Sequence, residues 1–183
     1  LGLVSNRILV GLSTWLEEWI YHNAEQISGQ TQGIVQSIKE RFPAKPVLWL
    51  RNGVDAKEFR SRLSGRDWRA ENGFRRSDVI FYFGGLLGYA QGVDCILYAA
   101  AKLKDVADAK FVIYGDGPEK ERLLTLQSEM GLDSVSFFDS VSRNAIADVI
   151  RGVDMGIIPL KKLDLFRGAI PSKIFEILSL GKP

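Results

Sequence analysis

Four short apolar runs set the strongest limit on how this chain folds: residues 79–83 (VIFYF), 110–115 (KFVIYG), 134–138 (SVSFF) and 155–160 (MGIIPL). Their hydrophobicity is continuous rather than alternating, and they are rich in β-branched and aromatic residues. Such runs mark strands buried on both faces. A segment with helical spacing follows each one, at residues 92–104, 119–130, 143–151 and 172–180. Strand and helix in alternation predict βαβ units, a parallel sheet and right-handed crossovers. No internal repeat or low-complexity tract breaks the pattern.

The first part of the chain is less regular. Helical spacing over residues 7–22 puts Ile8, Leu12, Trp15, Leu16, Trp19 and Ile20 on one face. The expectation is a helix packed on a core. A membrane-surface helix is the alternative, since two tryptophans share that face, but Glu17 and Glu18 stand where anionic lipid favours Lys or Arg. A second helix is expected at 31–41, after a turn-like SGQTQG, and then a strand in KPVLWL ended by a turn at Asn52-Gly53. Residues 51–78 carry Arg51, Lys57, Arg60, Arg62, Arg66, Arg69, Arg75 and Arg76 with fewer acids and little periodicity. They read as a solvated linker between two domains rather than as a phosphate-binding surface.

The totals narrow the function classes. With 183 residues the chain holds one domain or parts of two, and 46% hydrophobic against 25% charged residues excludes disorder as the main state. A net charge of +2 gives no electrostatic case for nucleic acid as a partner. The single cysteine, Cys95, cannot form an internal disulfide and reads as part of a buried helix face, which suits a reducing compartment. No run reaches the ~20 apolar residues of a spanning helix, and no signal peptide is visible. The chain starts without methionine and stops at GKP, just after a helix, so it is read as truncated at both ends.

Ligands of parallel sheets bind beyond the carboxyl ends of the strands. The loop after the first strand is GGLLGYAQG, residues 84–92. Its glycines suit either the approach of a phosphate to a helix start or a tight strand-to-helix turn, and the loop alone does not choose. A dinucleotide fingerprint would need glycine at Phe83, ahead of Gly85 and Gly88, although Asp116 in YGDGP stands where a ribose-binding acid could sit. The last helix, in AIPSKIFEILSLGKP, is apolar except for a stripe of Ser172, Lys173, Glu176 and Ser179. Its start is expected to face the same strand ends. Ser172 and Lys173 then suit a diphosphate, and Glu176, one turn on, suits a ribose diol. The plainer alternative is a surface Lys173–Glu176 pair, worth a few tenths of a kcal/mol.

Five segments then appear in a familiar order: NGVD (52–55), GGLLGYAQGVD (84–94), YGDGPEKERL (114–123), SFFDSVSRNAIADVI (136–150) and the AIPSKIFEILSLGKP stretch. The set resembles glycosyltransferase family 4, and looks most like bacterial surface-polysaccharide transferases of N-acetylfucosamine and related N-acetylhexosamines. The resemblance implies the GT-B fold, an α/β architecture of two Rossmann-like domains. Residues 1–53 would end the acceptor-side domain, 54–77 would be the linker, and 78–183 would form the donor-binding domain with its parallel sheet, incomplete.

The resemblance also implies roles. Glu176 corresponds to the second glutamate of an E-x7-E motif and binds ribose, while the first would fall at Gly168. The resemblance places the base at the backbone near Val141 and Ser142. The donor diphosphate is expected at Gly85, Gly88, Ser172 and Lys173 from the glycine loop and helix start described above. Leu86 and Gln91 stand where many members carry the Arg and Lys that grip phosphates, so Lys173 or Arg167 would take over. No residue is assigned as catalytic, and the lone histidine, His22, matches no motif and is expected to be structural or exposed. The implied reaction is retaining transfer from a nucleotide sugar, UDP-linked, to a glycan or lipid-linked acceptor, with no metal and no cofactor. The implied location is the cytoplasm, with peripheral association at the inner face of the cytoplasmic membrane.

Overall fold

The structure, a computed structural model, describes residues 6–163, 166 and 168–183. The chain divides into two compact units. One comprises Leu1–Asn52 with Lys162–Ile170, the other Gly53–Lys161 with Pro171–Pro183.

In the first unit the elements are α1 (Arg7–Asn23), β1 (Ile27–Gly29), α2 (Gln32–Arg41) and β2 (Val47–Trp49). The strands pair in parallel, with Ile27 opposite Val47. Asn6 caps α1 by accepting from the amides of Ile8 and Leu9, and Thr31 caps α2 through the amide of Ile34. Ile27, Ile38 and Phe42 form a small core, against which Tyr21 and Ala24 pack. His22 sets its ring edge-on to Phe42. The expected turn at SGQTQG is partly strand, because Ser28 and Gly29 belong to β1. Three residues are too few to show a period of two in the sequence.

Contrary to expectation, most of α1 is not packed on a core: only its last turn, through Tyr21 and His22, meets one. None of its residues is buried, and Trp15 and Trp19 are 59% and 53% exposed. A two-stranded sheet offers too little surface to cover five turns of helix; periodicity identifies an apolar face without saying what lies against it. Among the described residues no helix is long and apolar enough to cross a membrane.

In the second unit α3 (Ala56–Ser61) and α4 (Trp68–Glu71) precede β3 (Val79–Gly84), α5 (Asp94–Lys102), β4 (Ala109–Tyr114), α6 (Lys120–Met130) and β5 (Val135–Phe138). Then come α7 (Ala145–Gly152), β6 (Met155–Gly156) and α8 (Lys173–Ser179). The sheet order is β5-β4-β3-β6, with every pairing parallel. β6 is shorter than the apolar run at 155–160, and Pro159, which has no amide hydrogen, cannot extend the ladder.

Alternate side chains of each strand enter different cores. Phe83, Phe111 and Ile113 pack with Ile96, Leu97 and Leu123, beneath α5 and α6. Ile80, Tyr82, Val112 and Tyr114 pack with Phe59, Trp68, Ile150 and Ile177, from α3, α4, α7 and α8. The sheet is therefore covered on both faces, as continuous hydrophobicity requires. Contrary to expectation, Cys95 is exposed, on the outer side of α5 with Tyr98, and not part of the buried face.

Two expected boundaries move. Residues 54–77 are not a solvated linker, since Phe59 is 1% and Trp68 6% exposed within the second unit's core. Arg69 donates to the carbonyls of Gly152 and Asp78, so part of the basic surplus caps backbone. Residues 162–170, expected in the donor domain, group with the first unit. There Thr31 donates to the Gly168 carbonyl, and a side chain on Gly33 would lie 2.9 Å from the Gly168 Cα.

Candidate functional site

At the carboxyl ends of β3, β4 and β5, beside α8, lies a cavity of about 260 Å³ within the second unit. Its floor is built from two strand ends in contact. Gly85 and Gly115 both have positive φ, at 145° and 150°. A Cβ on Gly115 would come within 1.9 Å of the Gly85 carbonyl oxygen, so only glycine allows the approach. Backbone bonds from Leu87 to Asp116 and from Glu119 to Leu87 tie the glycine loop to the loop after β4. The glycines thus serve the turn and open the floor at once.

Of the residues singled out from sequence, Gly85, Val141, Lys173 and Glu176 line this cavity. Gly88, Ser142 and Ser172 do not. The Ser142 hydroxyl accepts from the Ala145 amide at the start of α7. Ser172 is exposed ahead of α8 and makes no side-chain cap. Arg167 lies outside the described residues. Gly168, the place of the missing first glutamate, sits in the first unit.

Lys173 reaches the cavity from beneath Gly85. A Cβ there would lie 2.3 Å from its Nζ, so the missing side chain is the lysine's passage. The ammonium rests over the Phe83 ring at 4.3 Å and donates to Gln91 Oε1 at 3.4 Å. It therefore stands beside one of the two positions where the sequence lacks an expected cation. The other, Leu86, is 64% exposed and outside the cavity. Burial pushes the Lys173 ammonium below its ordinary pKa, while the Glu176 carboxylate pulls it the opposite way. Among the described residues the two make no ion pair with each other, and the Glu176 carboxylate takes no hydrogen bond. The surface-pair alternative is not realised.

Sequence reasoning missed Tyr82, Tyr114 and Arg143, which also line the cavity. Tyr82 lies in β3 two residues ahead of Gly84-Gly85, and that proximity was the available signal. Asp116, the foothold of a dinucleotide reading, is exposed, accepts from the Gly117 amide and is not in the cavity lining. Among the described residues no three His, Cys, Asp or Glu side chains are grouped as a metal site would need.

The family described as glycosyl transferases group 1 matches residues 65–183, which hold this whole cavity. The chain belongs to that family. WcaI of Escherichia coli (strain K12), named as a colanic acid biosynthesis glycosyl transferase, is 25% identical over 93% of this chain and 42% of its own length. The glycosyltransferase MJ1607 of Methanocaldococcus jannaschii, itself uncharacterized, is 28% identical over 72% of this chain and 36% of its own length. The chain thus spans less than half the length of these relatives. Among solved structures, Anabaena Alr3699/HepE in complex with UDP and glucose superposes with a TM-score of 0.73 at 17% identity, covering 95% of this chain and 47% of HepE. The parallel α/β units of this group 1 chain have the GT-B fold.

Proposed function

We propose that the chain forms the donor-binding part of a retaining glycosyltransferase. It would move a hexose or N-acetylhexosamine from a UDP-linked donor to a glycan or lipid-linked acceptor in cell-surface polysaccharide synthesis. One observation carries this reading: Lys173 and Glu176, one turn apart on α8, line one cavity at the strand ends without pairing with each other. A cation and an acceptor-only carboxylate so arranged match the diphosphate and the ribose diol of a nucleotide. Lys173 supplies the charge absent at Gln91, and the segment at Val141 borders the base. The UDP and glucose held by HepE and the colanic acid role in the name of WcaI support the donor and acceptor classes.

In the transfer, the bond between the sugar C1 and the diphosphate breaks while the acceptor oxygen bonds C1 on the same face. A donor phosphate oxygen takes the acceptor proton, and Lys173 stabilises the departing diphosphate. The reading assigns that charge stabilisation to protein groups, so turnover is expected to survive EDTA. UDP titrated against the chain should bind, and Glu176→Ala should weaken it roughly 10- to 100-fold, as loss of hydrogen bonds to a charged group does. Unchanged UDP affinity in that variant would refute the assignment of Glu176.

A further inference from the structure

Two tyrosines near the carboxyl ends of the neighbouring strands β3 and β4 share one face of the sheet, their rings 6.3 Å apart. Both belong to one buried core, yet their hydroxyls are treated differently. Tyr114 Oη accepts from Trp68 Nε1 at 2.9 Å, so its oxygen is engaged inside the protein. The Tyr82 hydroxyl has no hydrogen-bond partner among the described residues, although Tyr82 is only 4% exposed. Among the described residues no buried side-chain oxygen or nitrogen lacks a partner, so this hydroxyl keeps contact with solvent through the cavity, where a ligand could take it up.

The route of that hydroxyl is visible. A Cβ on Gly84 would fall 1.8 Å from Tyr82 Oη, so the absence of a side chain at Gly84 lets the hydroxyl extend toward the cavity. Gly84-Gly85 therefore opens two passages: one for the Tyr82 hydroxyl and the next for the Lys173 ammonium. Tyr82 lines the cavity together with Glu176, and the Glu176 charge acts on it.

We propose that Tyr82 is a further nucleotide-recognition residue, whose phenolic hydroxyl donates a hydrogen bond to a ribose hydroxyl oxygen held beside Glu176. This rests on the nucleotide-sugar reading above. The chemistry is complementary. An ionised carboxylate only accepts, so it takes the protons of the diol and leaves the ribose oxygens with free lone pairs. A donor is then needed at the same place, and Tyr82 is an uncharged donor that lines the cavity with Glu176. Burial, and then the nearby carboxylate, push the phenol pKa up, so the group keeps its proton well beyond neutral pH.

The test is calorimetric titration of the native chain and of Tyr82→Phe with UDP, 2′-deoxy-UDP and 3′-deoxy-UDP, with thermal melting to check folding. Tyr82→Phe should weaken UDP by about fivefold, the size of one neutral hydrogen bond. With the one deoxynucleotide that lacks the accepting oxygen, native and variant should bind alike. Equal UDP affinities for native and variant would overturn the proposal. So would a loss of equal size for all three nucleotides, which would mean altered packing rather than a lost contact. If the native chain bound none of the nucleotides, the nucleotide-sugar reading would fall, and this inference with it.

Discussion

Replacing Lys173 by methionine isolates the charge in the site from its packing. The thioether keeps the unbranched stem that lies against Phe83, and sulfur is itself a good neighbour for an aromatic ring. What disappears is the ammonium. At ~4 Å from a phosphate oxygen and an effective dielectric near 20, its attraction for one unit charge is about 4 kcal/mol. Part is offset by the water the ammonium gives up, and net values for hydrogen bonds to charged groups are about 1.5–3 kcal/mol. A loss near 2 kcal/mol corresponds to UDP binding weakened about 30-fold. Burial already disfavours this charge in the free protein, so the melting temperature of Lys173→Met should be unchanged or raised. Titration calorimetry with UDP and with uridine separates the contributions. The variant should lose affinity for UDP and keep it for uridine, which has no phosphate. UDP affinity within about twofold of native, or an equal loss for uridine, would refute the reasoning.

The same lysine sets a pH dependence. Its pKa in the free protein lies below the ordinary 10.5, and a bound diphosphate, favouring the ammonium, raises it. UDP affinity should therefore be full below the lowered value and decline as pH rises through it, before ordinary lysines titrate; calorimetry across alkaline pH should show the decline in native protein and not in Lys173→Met. Trp68→Ala tests whether residues 54–77 belong to the second unit. The side chain is buried, stacks on Phe74 and donates to Tyr114, so urea unfolding should show a loss of about 3–5 kcal/mol, against about 0.5 kcal/mol or less for a residue in a solvated linker.

The strands of the second unit were legible because burial on both faces leaves a continuous apolar run, and β3, β4 and β5 fall within a residue of those runs. The neighbourhood of Gly85 and Glu176 was legible for a related reason: chain order in a parallel sheet sends loops and helix starts to one edge. The short helices α3 and α4 were not, because Phe59 and Trp68 are single anchors in a charged stretch and one anchor has no period. Nor could the sequence place residues 162–170 with the first unit, since a backbone contact between Gly33 and Gly168 leaves no pattern of side chains.

Local pattern by itself determined the α/β class, the parallel sheet of the second unit and the polar stripe carrying Lys173 and Glu176 on the last helix. Tertiary structure alone decided which polar groups share a cavity and which are spent on the fold. The Ser142 hydroxyl accepts its hydrogen bond at the start of α7, outside the cavity, whereas Lys173 and Tyr82 pass beside glycines toward open space. The reason is geometric. A hydrogen bond or a gap of a few ångströms depends on groups distant in the chain, and residue type and spacing do not encode that distance.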